Sequence, residues 1–275
     1  PAIVNDTTCC GSSIAPAVCQ GGVVASWTRT IEAYNTATDS TNRMHDDTVA
    51  RTYGFRGGLV PGVDVWAYMT QPCVDRWGER FLTGSTMEAR FVSPVYDGEQ
   101  VEARLDDDGS LKLTGPDGTV RATGTVALVE TLPPAVAIGT AVRSRPAPAV
   151  TAELLAPGTV LGTLEFVFRR ELAAVYLAEV RDQHDLYSGG AVCHPGFLAR
   201  QANSVLHLNV ELGPWIHVGT RAHHRGVVRD GDVVYSFADI GTESSGDNTL
   251  AARMPEDPDK RSDQLAQPIF ARLET

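Results

Sequence analysis

The sequence predicts an α+β protein in which two antiparallel sheets each wrap around a central helix. Three observations carry this. A long apolar helical stretch near residue 70 is followed by short extended segments separated by turn dipeptides. A proline-rich segment then interrupts both patterns. Beyond it, the same order of helix and strands returns, as expected when one supersecondary unit has been duplicated.

In chain order, the stretch up to about residue 22 is rich in small residues and reads as loop with one short strand. Residues 23–37 place Trp27, Ile31 and Tyr34 at i, i+3/i+4 spacing, which predicts a helix. Residues 46–53 predict a short helix stopped by Gly54. The run Gly57-Gly58-Leu59-Val60-Pro61-Gly62 reads as a turn. Pro61, just before the next helix, sets its approach without losing an internal hydrogen bond. That helix, 63–77, is apolar over much of its surface, which predicts burial. Strands are expected over 86–92, 100–105, 110–114 and 119–129. Pro94, Asp97-Gly98, Asp108-Gly109 and Asp117-Gly118 supply turn chemistry between them.

Residues 131–158 contain Pro133, Pro134, Pro146, Pro148 and Pro157, which favour an extended linker. The junction is placed there, between an N-terminal lobe over 1–130 and a C-terminal lobe over 159–275. In the second lobe, 161–168 and 173–180 read as strands. Val192-Cys193-His194-Pro195-Gly196 echoes Leu59-Val60-Pro61-Gly62, and 197–208 echoes the buried helix. Residues 216–228, the Asp230-Gly231 turn and 233–237 complete the repeat. Two such sheets can pair edge to edge, removing an exposed edge from each.

Charge and composition exclude several functions. The formal net charge of -11 repels a phosphate backbone and argues against general nucleic-acid binding. Five cysteines, with Cys9 and Cys10 adjacent, suit neither a stapled scaffold nor a zinc spacing, so reduced thiols are expected. No apolar run is long enough to span a membrane. The sequence does not open on a basic region followed by an apolar stretch, which predicts a cytoplasmic location. Six of the seven histidines lie in the second half, but His223-His224 point apart on a strand, so no metal site is expected.

The chemistry concentrates between Asp39 and Gly62. Asn42, His45, the Gly54-Phe55 pair and Gly62, followed by Arg90-Phe91 and Pro94-Val95, resemble the MaoC-like hydratase/dehydratase family of hot-dog proteins over about 60 residues. The family motif is an Asp, a spacer, Asn-Pro, a spacer and His, then an Ala-Arg-Gly-Phe stretch and a Gly opening the central helix. The resemblance implies a double hot-dog fold and an acyl-thioester hydratase/dehydratase of the enoyl-CoA type. It implies His45 as catalytic acid or base, Asn42 as loop scaffold, and Gly62 with its neighbours Val60 and Gly58 as oxyanion and substrate contacts. Unpaired amides at a helix start suit an enolate-like oxygen. The substrate implied is a small-molecule thioester of coenzyme A or an acyl carrier, with no tightly bound cofactor. Arg43, Arg51, Arg56 and Arg90 are the candidates for phosphate contacts. A homodimer of two-lobed chains is compatible with the family.

One position departs from the pattern. The family's catalytic Asp falls five residues before the His, and here that residue is Ser40. Asp39 stands one place early, and Arg43 replaces the proline. Three outcomes follow: Asp39 reaches the water through a changed loop, Asp46 or Asp47 orients His45, or the water chemistry is gone, leaving a binding or differently reacting site. In the second lobe, His194 stands at a helix entrance where it could face a ligand. The alternatives to a hydratase are a hot-dog protein that binds a thioester or small hydrophobic metabolite without turnover, and a thioesterase or isomerase using the same oxyanion hole.

Overall fold

A computed structural model describes residues 26–132, 134 and 140–240, with the backbone of 248–253, 267–271 and 273–274. The expectations for the first 22 residues, including the Cys9-Cys10 pair, lie outside the described residues. Cys73 and Cys193 are buried free thiols.

The first half opens with strand β1 (Ser26–Glu32), where helical spacing had predicted a helix. Thr28, Thr30 and Ile31 are β-branched, and burial alternates along the strand with period two, as a sheet requires. β1 pairs antiparallel with β3 (Gln100–Asp106), with Ile31 opposite Val101. Arg29, on the same face as Ile31, anchors it by donating through Nε and Nη2 to the two carboxylate oxygens of Asp75, each at 2.5 Å. A 3-10 turn (Arg43–His45) and the short helix α1 (Asp47–Thr52) follow. Helix α2 (Gly62–Trp77) is the core of this half, and every residue from Val63 to Val74 is buried. A short helix α3 (Glu79–Thr83), which the pattern did not predict, leads into β2 (Ser85–Phe91). β4 (Ser110–Thr114) and β5 (Val120–Leu128) complete the expected meander.

Among the described residues, no helix or strand lies between β5 and β6 (Val160–Val167). The next segment corrects a second expectation. Residues 170–179 form helix α4 (Arg170–Glu179), not a strand. Leu172, Ala173, Ala174, Leu177 and Ala178 are good helix formers, and Ala173, Tyr176 and Val180 bury one face at helical spacing. A second 3-10 segment (Asp185–Gly190) leads to helix α5 (Pro195–Asn209), the counterpart of α2 and packed against it. Strand β7 (Gly219–His224) is shorter than its predicted span, and β8 (Val233–Asp239) follows. β9 (Asn248–Arg253), β10 (Gln267–Ala271) and β11 (Leu273–Glu274) close the chain.

One sheet runs β1-β3-β4-β5-β2-β7-β11 and the other β10-β9-β8-β6. The halves join where β2 pairs antiparallel with β7, from Ser85 opposite His224 to Arg90 opposite Gly219. That pairing covers an edge of each half. It also brings the end of β2, with Phe91, beside the chain that enters β7. Phe91 N–H donates to Val218 C=O at 2.9 Å. Among the described residues, no helix is long and apolar enough to cross a membrane.

Candidate active site

Asn42 organises the site. Its Oδ1 accepts from Met44 N–H (3.2 Å), capping the 3-10 turn, and from Trp215 N–H (3.3 Å). Its Nδ2 donates to Trp215 C=O (3.0 Å) and lies 3.3 Å from His45 Nε2. The two backbone N–H groups fix which end of the amide is oxygen. His45 Nε2 therefore faces a donor and accepts. Its other nitrogen, Nδ1, lies 2.7 Å from Leu59 C=O and donates to it. The network thus assigns the neutral Nδ1–H tautomer, with the Nε2 lone pair held by Asn42 at 3.3 Å and able to act as a base when a water proton takes the place of that donor. Burial pushes the pKa of His45 down, against the opposing pull of the Leu59 carbonyl and the Asp64 charge.

The loop before α2 brings its backbone to the same place. Three of its amides are used: Leu59 N–H by Met44 C=O, Val60 N–H by Val95 C=O, and Gly58 N–H by Asp47 Oδ1 at 2.8 Å. Gly58 is there for close approach, because a Cβ would lie 2.2 Å from His45 C=O. Neither Gly58 nor Val60 therefore offers an amide to a ligand, although Val60 contributes its side chain to the wall. The first two amides of α2, on Gly62 and Val63, have no acceptor among the described residues. They are the donors a helix start leaves unpaired, and the helix dipole favours negative charge there.

His45, Gly62 and Val63 line one cavity of about 220 Å³. Most of its wall is apolar: Met44, Phe55, Val65, Phe91 and Val95 come from the first half and Trp215 and Ile216 from the second. Among the described residues, no carboxylate lines it. A second, more polar cavity shares Asn42, His45 and Trp215 and is also lined by Asp39, Ser40, Arg200 and His207. Asp39 is exposed on that side, and Ser40 Oγ accepts from Asn42 N–H at 3.1 Å. Behind this cavity, the fully buried Asp64 accepts from Arg200 (2.7 Å) and Thr36 (2.5 Å), and Arg200 also holds Glu179.

His217 is the second imidazole on the apolar cavity. Its Nε2 lies 2.6 Å from Gly219 C=O, which fixes the proton there, and Thr220 Oγ1 is 3.0 Å away. Nδ1 is buried without a partner among the described residues. A Cβ on Gly62 would lie 2.7 Å from that nitrogen and 2.8 Å from His217 Cβ and Cγ. Gly62 is thus required by the second half of the chain. Burial lowers the pKa of His217 to about 4.

No protein-family model matches the sequence, and no curated protein matches it. Solved structures do. A protein from Chloroflexus aurantiacus described as a MaoC domain dehydratase superposes with a TM-score of 0.54 at 11% identity, over 89% of this chain and 93% of that one. A conserved protein of Mycobacterium tuberculosis described as having a double hot-dog fold gives 0.55 at 14%, over 92% and 94%. A MaoC-like dehydratase gives 0.51 at 10%, over 90% and 96%. This chain has a double hot-dog fold. Likeness at these identities carries the architecture, and the chemistry rests on the site itself.

Within this double hot-dog, several predicted residues serve the scaffold. Asp46 Oδ1 accepts from Thr48 and Val49 N–H (both 2.9 Å) and caps α1, while Oδ2 pairs with Arg43 at 2.8 Å. Its carboxylate is not brought to the His45 ring, and neither is that of Asp47, which holds Gly58 and Arg51. The four arginines are not gathered either. Arg51 and Arg56 share a cleft with Asp47 and Asp97, where Arg56 pairs with Glu99 and stacks on Tyr96. Arg90 stands on β2, with Nε 3.8 Å from Glu88. His194 does not face the His45 cavity. It caps α5 by accepting from Gly196 N–H (3.0 Å) and donates through Nε2 to Asp182 at 3.1 Å. At the start of α5, Tyr176 fills the space before Gly196, where a Cβ would lie 2.2 Å from its hydroxyl.

Sequence reading did not find Phe91 as a wall residue, Trp215 as the partner of Asn42, or Val63 as a second donor. Val63 follows from the rule that a helix leaves its first amides unpaired. Trp215 lies 173 positions from Asn42, and no local pattern connects them.

Proposed function

We propose that the chain is an acyl-thioester hydratase/dehydratase of the enoyl-CoA type in which His45 is the single proton-transfer group. The observation that carries this is the meeting of His45 Nε2, unprotonated, with the unpaired Gly62 and Val63 amides on one largely apolar cavity. In hydration, water oxygen bonds to the β-carbon and one of its protons passes to Nε2. The displaced electron pair moves to the thioester oxygen, where the two amides stabilise it more than they stabilise the ground state. Nε2 then returns its proton to the α-carbon. Nδ1–H stays on Leu59 C=O throughout and supports the transient imidazolium. Dehydration is the reverse. The thioester is carried by coenzyme A or a carrier protein, and no tightly bound cofactor takes part. On this reading, residues 1–130 supply the reacting groups and 159–275 complete the wall, divided at 131–158.

The lining, with no carboxylate among the described residues, favours one further reading, a one-base isomerase that moves a double bond by taking a proton at the α-carbon and returning it at the γ-carbon. Both are tested together. Purified protein is given 2-enoyl-CoA and 3-enoyl-CoA substrates, products are followed by mass and absorbance, and His45→Ala serves as control. Addition of 18 mass units to the 2-enoyl substrate, lost in the variant, supports the hydratase. Conversion of the 3-enoyl to the 2-enoyl substrate without mass change supports the isomerase. The absence of both with a range of acyl lengths would overturn the proposal.

A further inference from the structure

The reading of the site as an acyl-thioester site leaves the acyl group unnamed, and the cavity itself bears on it. Its volume is about 220 Å³. A dry apolar cavity of about 150 Å³ holds a benzene ring of six carbons, so on that scale 220 Å³ holds about nine. The thioester carbonyl carbon counts among these, because His45, Gly62 and Val63 line the same cavity. An acyl group of about nine carbons is a medium-length chain or a three-carbon thioester bearing a phenyl ring.

The wall favours the ring. Phe55, Phe91, Trp215 and His217 all line the cavity. Phe91 and His217 meet edge to face, with centroids 5.1 Å apart and planes at 87°. Phe55, Phe91 and Trp215 are only half-buried, so ring surface is left for a ligand to cover. Aromatic pairs in offset or edge-to-face geometry gain attraction beyond the area they bury, which an alkyl chain of equal volume lacks. The wall also explains why Phe91 stands where it does: β2 ends there against the chain entering β7, so both halves contribute rings to one chamber.

We propose that the site takes a phenylpropenoyl-sized acyl thioester, with the aryl ring held among Phe55, Phe91, Trp215 and His217. This rests on the acyl-thioester reading above, and the test separates the two. Isothermal titration calorimetry would compare four unreactive saturated CoA thioesters, which carry the phosphopantetheine arm shared by carrier proteins: butyryl, octanoyl, palmitoyl and 3-phenylpropanoyl. The expected order places 3-phenylpropanoyl-CoA tightest, about tenfold over octanoyl and on the order of a thousandfold over butyryl. Phe91→Leu is expected to weaken 3-phenylpropanoyl-CoA more than octanoyl-CoA, reducing the aryl advantage to within about threefold. Phe55→Leu gives the same reading if the first variant does not fold. Octanoyl equal to or tighter than 3-phenylpropanoyl would overturn the aryl assignment, and palmitoyl or butyryl tightest would overturn the size. An aryl advantage unmoved in both variants would overturn the placement of the ring. No binding at any length by folded protein would overturn the acyl-thioester reading itself.

Discussion

Replacing Gly62 by alanine tests whether the second half of the chain holds the start of α2. The new Cβ would stand 2.7–2.8 Å from three atoms of His217, far inside van der Waals contact. His217 cannot retreat easily, because its Nε2 is tied to Gly219 C=O and its ring packs edge-on to Phe91. Overpacking of this kind costs about 1–3 kcal/mol. In a chain of this size that corresponds to a fall in Tm of about 3–9 °C. The same displacement moves the Gly62 and Val63 amides. Loss of one such donor slows acyl chemistry about 10²–10³-fold, so a hundredfold fall in kcat is expected with a smaller change in KM. The decisive measurement is a double-mutant cycle by urea denaturation. His217→Ala alone is expected to leave a cavity and destabilise, but in the Gly62→Ala background it removes the clash. The two changes should therefore couple by about 1 kcal/mol or more. Additivity within about 0.5 kcal/mol, or a Gly62→Ala protein as stable as the parent, would refute the contact.

Three further outcomes are expected. Asn42→Asp removes the donor to Trp215 C=O and His45 Nε2 and places a carboxylate oxygen there; turnover should fall at least tenfold and the pKa read from the pH–rate profile should rise, both measurable in the hydration assay. Asp46→Ala should lower the urea midpoint through loss of the α1 cap and leave kcat within about twofold, which separates helix capping from any part in the chemistry. Stability should fall on acidification. The folded pKa values of His217 and His224 are lowered by burial to about 4 and about 3, so the unfolded chain binds protons first as pH drops below about 6.5. Stability is then full above that pH and is lost progressively as pH falls toward 4, by about 3 kcal/mol for His217 alone, checked by denaturation midpoints across the range.

Much of the architecture was legible because it rests on period and punctuation. α2 reads as buried because it lacks a polar stripe, and β3, β4 and β5 are marked by the Asp-Gly turns between them. The two misread elements show where period fails. Trp27 and Ile31, within β1, and Tyr34, just beyond it, stand at helical spacing, yet Thr28, Thr30 and Ile31 are β-branched and the segment pairs with β3. α4 has the composition of a helix, and the expectation of strict repetition outweighed it. Within the site, His45, Asn42 and Gly62 could be located from their spacing. What each one does could not, because the partners are distant in the chain: Trp215 for Asn42 and His217 for Gly62. The fate of Asp46 shows the same limit of spacing, since its neighbour in sequence is His45 and its hydrogen-bond partners are the first amides of a helix.

The two helix starts are touched by different groups, His217 against Gly62 and Tyr176 against Gly196. Identical subunits related by a two-fold axis must place the same group at both positions. Covalent linkage removes that obligation, so one start can stay open to a ligand while the other is filled by a tyrosine. It also removes dilution as a threat. The wall supplied by Trp215, Ile216 and His217 stays at a fixed effective concentration beside His45, however little protein is present.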